Sequence, residues 1–199
     1  MKGSLIIVGF FVLGTLCGVF HLIPIVIDSK ISFYALCALM FSVGLSVGND
    51  PQTLKNFRSL NPRLIFLPIM TILGTLAGSA AVSLILTHRS LTDCLAVGSG
   101  FGYYSLSSIF ITEYKGAELG TIALLANISR EILTLLAAPL LVRWFGNLAP
   151  ISAGGATTMD TTLPIITRTA GQQFVVVSIF HGFVVDFSVP FLVTLFCSI

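Results

Sequence analysis

The sequence predicts an all-α polytopic membrane protein with about five spanning helices and one or two broken or re-entrant segments. Three observations carry that reading. Of 199 residues, 55% are hydrophobic and 9% charged, with mean hydropathy +1.01, whereas a soluble domain carries about a quarter charged residues. The apolar residues fall in long runs, at about 4–26, 32–48, 64–87, 117–145 and 174–196. A spanning helix needs roughly 20 such residues, so only the second run is short. Between and after them, two apolar stretches at about 94–112 and 150–168 are dense in glycine, serine and threonine, poor material for a continuous helix. The whole chain, 1–199, reads as a single transmembrane domain. Net charge is +2 and no basic tract exists, so nothing points to nucleic acid.

The run at 4–26 follows a lone Lys2, is too long for a signal-peptide core and lacks an A-x-A cleavage site, so it reads as a retained spanning helix. Each of the first three runs carries a Gly-x-x-x-Gly pair, at Gly14/Gly18, Gly44/Gly48 and Gly74/Gly78; such pairs let helix backbones approach closely in lipid. The loop from Asn49 to Arg63 holds Lys55, Arg58 and Arg63, three of only ten basic residues. By the positive-inside rule it is cytoplasmic, and 28–30 and 88–93 face outward.

The stretch at 94–112 contains Gly98-Ser99-Gly100-Phe101-Gly102-Tyr103-Tyr104-Ser105-Leu106-Ser107, and that at 150–168 contains Gly154-Gly155-Ala156-Thr157-Thr158-Met159-Asp160-Thr161-Thr162-Leu163-Pro164. Unwound backbone at membrane depth is tolerated only where protein or water satisfies its polar groups. A pair of interrupted segments is the sequence pointer to a transporter's midplane site. The alternative is a pair of ordinary loops or interfacial hairpins. Tyr103 and Tyr104 fit either an interface or a cavity wall.

The run at 117–145 buries charge. Asn127, Arg130, Glu131 and Thr134 fall at i, i+3, i+4 and i+7, one polar stripe on a helix. An ionised side chain at the bilayer centre costs about 2.5–3.5 kcal/mol on insertion scales, so such a stripe faces a packed interior or a watery cavity. The bland alternative is a structural Arg130–Glu131 pair. In the last run, Gly182, Asp186 and Pro190 share a face, and Pro190 frees a carbonyl one turn back, near Asp186. His181 reads as a packed, hydrogen-bonded histidine rather than a proton relay.

Glu131, Asp160 and Asp186 are thus the intramembrane acids. Lipid favours the neutral form of Glu131 and the adjacent Arg130 favours the charged one. A carboxylate poised between the two holds either a proton or a cationic substrate, the simplest basis for proton-coupled antiport. Broken-helix N-termini or an arginine would receive a substrate carboxylate. The candidate substrate- and proton-binding residues are therefore Glu131, Arg130, Asn127, Asp160, Asp186, Ser99, Gly100, Tyr103, Ser105 and Ser107. No cofactor motif is present: the glycines at 98, 100 and 102 lack a dinucleotide loop's spacing. Cys17, Cys37, Cys94 and Cys197 form no C-x-x-C pair and read as packing residues, with no metal-ligand set.

With these motifs, together with Met40-Phe41-Ser42-Val43-Gly44-Leu45-Ser46-Val47-Gly48 and Ala126-Asn127-Ile128-Ser129-Arg130-Glu131, the chain resembles the LysO-type lysine exporter family over nearly its whole length. The resemblance implies a bacterial inner-membrane exporter of L-lysine, proton-coupled, with no cofactor and with an essential acid at Glu131. It implies part of a fold like that of cation–proton antiporters and bile-acid transporters, with inverted repeats. Single-chain relatives carry further N-terminal residues, so the resemblance also implies a short membrane partner subunit, and the assembled unit is a candidate homo-oligomer. A structural or regulatory subunit, or a carrier of another cationic metabolite, stays open as the alternative. An intramembrane enzyme would need Ser99 with His181, or Asp160 with Asp186, and the flanking motifs of such enzymes are missing.

Overall fold

In the computed structural model, the residues described are 62–199 except Thr87, with isolated positions at Leu13, Leu16, Cys17, Phe20 and Tyr34. The chain divides into two compact units, Met1–Tyr34 and Ala35–Ile199, and every element below lies in the second. The runs expected at 4–26 and 32–48 lie outside the described residues.

After a 3-10 turn at Pro62–Ile65, α1 runs from Phe66 to Ser83, and α2 from Leu91 to Gly98. The Ser90 hydroxyl caps α2 by accepting from the Asp93 amide at 3.0 Å, satisfying one of the orphan donors of a helix start. α3 covers Tyr104–Lys115 and α4 covers Ala117–Phe145, separated only by Gly116. Its φ of +93° stops α3 and turns the chain. α5 is Ala149–Gly154, followed by a 3-10 turn at Gly155–Met159 and by α6 at Leu163–Ala170. A short turn at Gln172–Phe174 leads into α7, Val175–Ser198.

Among the described residues, Phe66–Ser83, Ala117–Phe145 and Gln172–Ser198 are long and apolar enough to cross a membrane. They match the runs expected at 64–87, 117–145 and 174–196. Large side chains on α4 such as Leu136, 74% exposed, project outward, as a lipid-facing helix surface requires.

The two glycine-rich stretches are hairpins, each entering and leaving at one end of the bundle. Lys115 at the end of α3 lies 3.7 Å from Asp93 at the start of α2. Arg89, before α2, pairs with Glu118 in the first turn of α4. Both arms of the first hairpin therefore end beside the start of α4. The second hairpin ends at the opposite side. Ile151 of α5 packs with Ile166 and Ala170 of α6, and with Val142 near the far end of α4. At about 1.5 Å per residue, a helix of this length exceeds the bilayer's hydrocarbon thickness.

The described residues thus repeat one unit, a helical hairpin followed by a long apolar helix, in opposite orientations. Leu91 to Ala149, the starts of the two hairpins, is the same interval as Ala117 to Val175, the starts of the two long helices. The Lys115–Asp93 contact brings the two ends of the first stretch together, so that stretch folds back as a helical hairpin.

Candidate functional site

The hairpin tips meet. The Ala156 amide donates to the Phe101 carbonyl at 2.9 Å, joining the second tip to the first. The approach is backbone to backbone: a Cβ on Gly155 would run into the Phe101 carbonyl, and one on Gly102 would sit 3.1 Å from the Gly154 carbonyl. Phe101 is fully buried and holds φ at +45°, the left-handed region that bulky residues rarely enter.

α4 secures both tips through residues one turn apart. Asn127 Oδ1 accepts from the Gly102 amide at 2.7 Å. Its Nδ2 donates to the Ala123 carbonyl at 2.9 Å and to the Val97 carbonyl at 3.3 Å. This one amide stands in for the helix ladder that the chain gives up between α2 and α3. Arg130 serves the second hairpin. Its Nε donates to the Ala153 carbonyl at 2.8 Å and Nη2 to the Ser152 carbonyl at 3.0 Å. These carbonyls lie in the last turn of α5, where a cation is favoured. Nη1 reaches Thr75 Oγ1 on α1 at 3.3 Å, and the guanidinium sits 5.9 Å from the centre of the Phe101 ring, within cation–π range. A charge at membrane depth is tolerable with this many polar partners. The alternative of an Arg130–Glu131 structural pair is not what forms. Among the described residues the ion pairs are Arg89–Glu118 and Lys115–Asp93.

The acids gather on the other side of this tether. Asp160, in the second tip, is exposed, Glu131 on α4 is half-buried, and Asp186 on α7 is buried. Asp160 lies within electrostatic reach of Glu131, Asp186, Tyr103 and Tyr104, and the Thr161 side chain lies beside both Glu131 and Asp160. The Thr161 amide donates to Asp160 Oδ1. Three carboxylates, from α4, α7 and one hairpin tip, thus lie within electrostatic reach of the two tyrosines at the other tip. Tyr103 and Tyr104 are both part-buried beside these acids.

The other expected site residues build the first tip. Ser99, fully buried, donates to the Leu95 carbonyl at 2.7 Å, and Ser107, also fully buried, to the Tyr103 carbonyl at 2.8 Å. Gly100 leaves the room that the Asn127 amide and the Ser107 hydroxyl occupy. Ser105 is half-buried in the first turn of α3. The Ser99–His181 and Asp160–Asp186 pairings of an intramembrane enzyme fare differently. The two acids adjoin, but Ser99 is taken by its own helix and His181 by two threonines.

His181, fully buried, joins Thr71 of α1 through Nε2 at 2.9 Å and Thr158 of the second tip through Nδ1 at 3.2 Å. Thr158 lies within donating distance of the Gly155 and Ser178 carbonyls, at 2.8 and 2.9 Å. With its single proton directed to a carbonyl, it accepts from Nδ1–H, and Thr71 donates to Nε2. The histidine is a packed tether, as its sequence context indicates. Sequence reasoning missed Phe101, Thr71, Thr158 and Thr161. A clue existed for Phe101, lying between two glycines, and for Thr161, next to an intramembrane acid. Nothing in the sequence marked Thr71, which meets its partner from a distant helix.

On the flank of α4, a cavity of about 580 Å³ opens between α1, α2 and α4. Val82, Leu86 and Leu119 form much of its wall, and Asn127 and Arg130 close its floor.

Three helices long and apolar enough to cross a membrane, packed around two hairpins whose tips meet, define a helical membrane protein. The chain belongs to the LysO lysine exporter family, whose model, described as "Lysine exporter LysO", matches residues 8–197. It is 35% identical over 195 residues to the lysine exporter LysO of Escherichia coli, covering 98% of this chain and 64% of that protein. It is likewise 35% identical over 195 residues to a putative lysine exporter of Haemophilus influenzae, covering 98% of this chain and 96% of that one. The chain thus spans a little under two thirds of the E. coli relative and almost all of the H. influenzae one. The family is one of exporters, not of enzymes. No solved structure matches the chain.

Proposed function

We propose that this chain exports L-lysine across the bacterial inner membrane as a multi-pass secondary transporter, exchanging it for protons at Glu131, Asp160 and Asp186. One observation carries the reading: Asp160, in the tip of the second hairpin, lies within electrostatic reach of both Glu131 on α4 and Asp186 on α7. Carboxylates so placed bind either protons or the ammonium groups of a cationic amino acid, and the graded exposure from Asp160 to Asp186 gives a route inward. The α-carboxylate of the substrate meets the first turn of α3, which has no side-chain cap, beside Tyr103 and Ser105. Inverted hairpin-and-helix units support alternating access around a fixed site, in the manner of the antiporter-like folds. Lys55, Arg58 and Arg63 precede Leu64 in the sequence, and Leu64 packs with Ile151 and Ile166 of the second hairpin, which supports reading the end where that hairpin is rooted as cytoplasmic. We further propose that a short membrane subunit completes the carrier and that the assembled unit oligomerises.

The decisive experiment is efflux of labelled L-lysine from cells or proteoliposomes under a proton gradient, with this chain alone and with the product of its genomic neighbour. Glu131→Gln abolishes efflux while the protein still accumulates in the membrane. Wild-type efflux from that variant removes Glu131 from the mechanism. Efflux independent of the neighbour removes the partner.

A further inference from the structure

Arg130 occupies the one polar stripe that also carries Glu131, and the obvious role for it is a ligand for the substrate's carboxylate. The contacts point elsewhere. Three of its N–H groups face the carbonyls of Ser152 and Ala153 and the hydroxyl of Thr75, and its flat face lies over Phe101. The guanidinium therefore touches α1, the first hairpin and the second hairpin at once, from a seat on α4. Phe101 is the residue of the first tip with φ at +45°, and backbone strain of this kind persists only where the surroundings over-determine it. Beyond its core packing and the bond from its own amide to the Gly98 carbonyl, three contacts hold this position: the Ala156 amide on the Phe101 carbonyl, the Asn127 side chain on the next amide, and Arg130 on the ring.

We propose that Arg130 and Phe101 form a latch that positions the two hairpin tips, and that Arg130 is a positioning residue that does not contact the substrate. The latch holds Tyr103 and Tyr104, two and three residues after the strained one, near Asp160 in the second tip. Substrate affinity then resides in the acids and the tyrosines, and the latch sets how often the tips reach the arrangement in which the site is complete. Loosening it slows turnover and leaves recognition of the substrate's two ends unchanged. Asn127 belongs to the same device through the Gly102 amide, but it does not touch the second hairpin, so its loss frees one tip only.

This inference rests on the transport reading, and the test separates the two. The protein is reconstituted in liposomes as the assembly that moves labelled lysine. Arg130→Lys and Phe101→Ala are compared with wild type in rate, KM for lysine, and inhibition by 1,5-diaminopentane, which keeps both ammonium groups and lacks the carboxylate. The expected result for both variants is a fall in maximal rate of about tenfold to a hundredfold, the scale of a small misplacement of reacting groups. KM and the lysine-to-diamine preference stay within about twofold, the pattern of an interaction outside ground-state binding. A raised KM in Arg130→Lys, with the preference for lysine over the diamine lost, shows that Arg130 holds the carboxylate and overturns the latch. A wild-type rate in Phe101→Ala overturns it too.

Should Arg130→Lys fail to accumulate, Phe101→Ala carries the test, since it leaves the guanidinium and its three hydrogen bonds in place. Hydrogen exchange on the purified protein reads the latch without transport. Amides at 100–104 and 154–158 exchange at least severalfold faster in Phe101→Ala than in wild type, and unchanged exchange there overturns the proposal. Wild-type liposomes that move no lysine sink the transport reading alone, and the exchange result still decides the latch.

Discussion

The amide of Ala156 and the carbonyl of Phe101 share a 2.9 Å hydrogen bond that joins the tips of two hairpins rooted at opposite ends of the bundle. Neither residue offers a polar side chain, so the join is made by backbone alone. Such a contact depends on how closely the chains approach, and glycines on either side provide the approach.

Gly155 is the position least able to accept a side chain. Its φ is +64°, and a Cβ there meets the Phe101 carbonyl and comes 3.4 Å from Arg130 Cζ. Gly155→Ala is expected to destabilise the protein by about 1–3 kcal/mol, the range for a strained backbone position. Gly78→Ala, where a Cβ meets nothing within 4 Å among the described residues, is expected to leave stability near wild type. Thermal unfolding of the two variants in the same detergent checks the contrast.

Phe101 gives a prediction of opposite sign. Relative to Phe101→Ala, which keeps the unfavourable φ, Phe101→Gly gains about 1–2 kcal/mol from relief of the left-handed conformation. The glycine variant therefore melts above the alanine variant, although both lack the ring. Equal melting temperatures would mean that the strain is absent in solution.

Asn127→Ala leaves the Gly102 amide buried without an acceptor, a loss of about 1–3 kcal/mol on top of the lost bond to the Ala123 carbonyl. Asn127→Asp keeps an acceptor for Gly102 and forfeits both donated bonds. Amide exchange at Gly102 separates the variants: it rises steeply in alanine and less in aspartate.

His181→Phe removes the group between Thr71 and Thr158, leaving the Thr71 hydroxyl without its partner and the second tip untied from α1. The expected cost is again about 1–3 kcal/mol for a buried, unsatisfied polar group. His181→Gln, with one donor and one acceptor, recovers part of it. Chemical denaturation in mild detergent reads both.

Asp160 and Asp186 differ in access, and their amides are expected to differ in phenotype. Asp160, exposed, is placed to receive substrate, so Asp160→Asn raises KM for lysine. Asp186 is buried to 6% exposure, so Asp186→Asn lowers the rate with a smaller change in KM. Steady-state efflux kinetics on the pair decide it, and an inverted pattern would reverse the order in which the acids are met.

Much of this architecture is written in the chain. The span at 117–145 coincides with α4, because a long apolar run needs only length and hydropathy to be seen. Asn127, Arg130 and Glu131 stood out because polar atoms are scarce in such a run. Their division of labour did not: which carbonyls a guanidinium meets depends on how a distant hairpin folds back, and Ser152 is 22 positions from Arg130. Whether Gly98–Ser107 crosses or returns was equally beyond local pattern. The answer came from a contact between Lys115 and Asp93 at the two ends of the segment. The strain at Phe101 leaves only an indirect trace in the sequence, the glycines on either side, since phenylalanine itself gives no sign of a positive φ.

The repeated unit has a consequence for direction. One hairpin and its helix enter from one face of the bundle, and the same pair, turned over, enters from the other. In the carrier proposed above, two reversed halves would offer each side of the membrane a similar doorway, so the shape would hold no arrow. Export would then be a property of the gradients on either side, and the same molecule under reversed gradients would run inward.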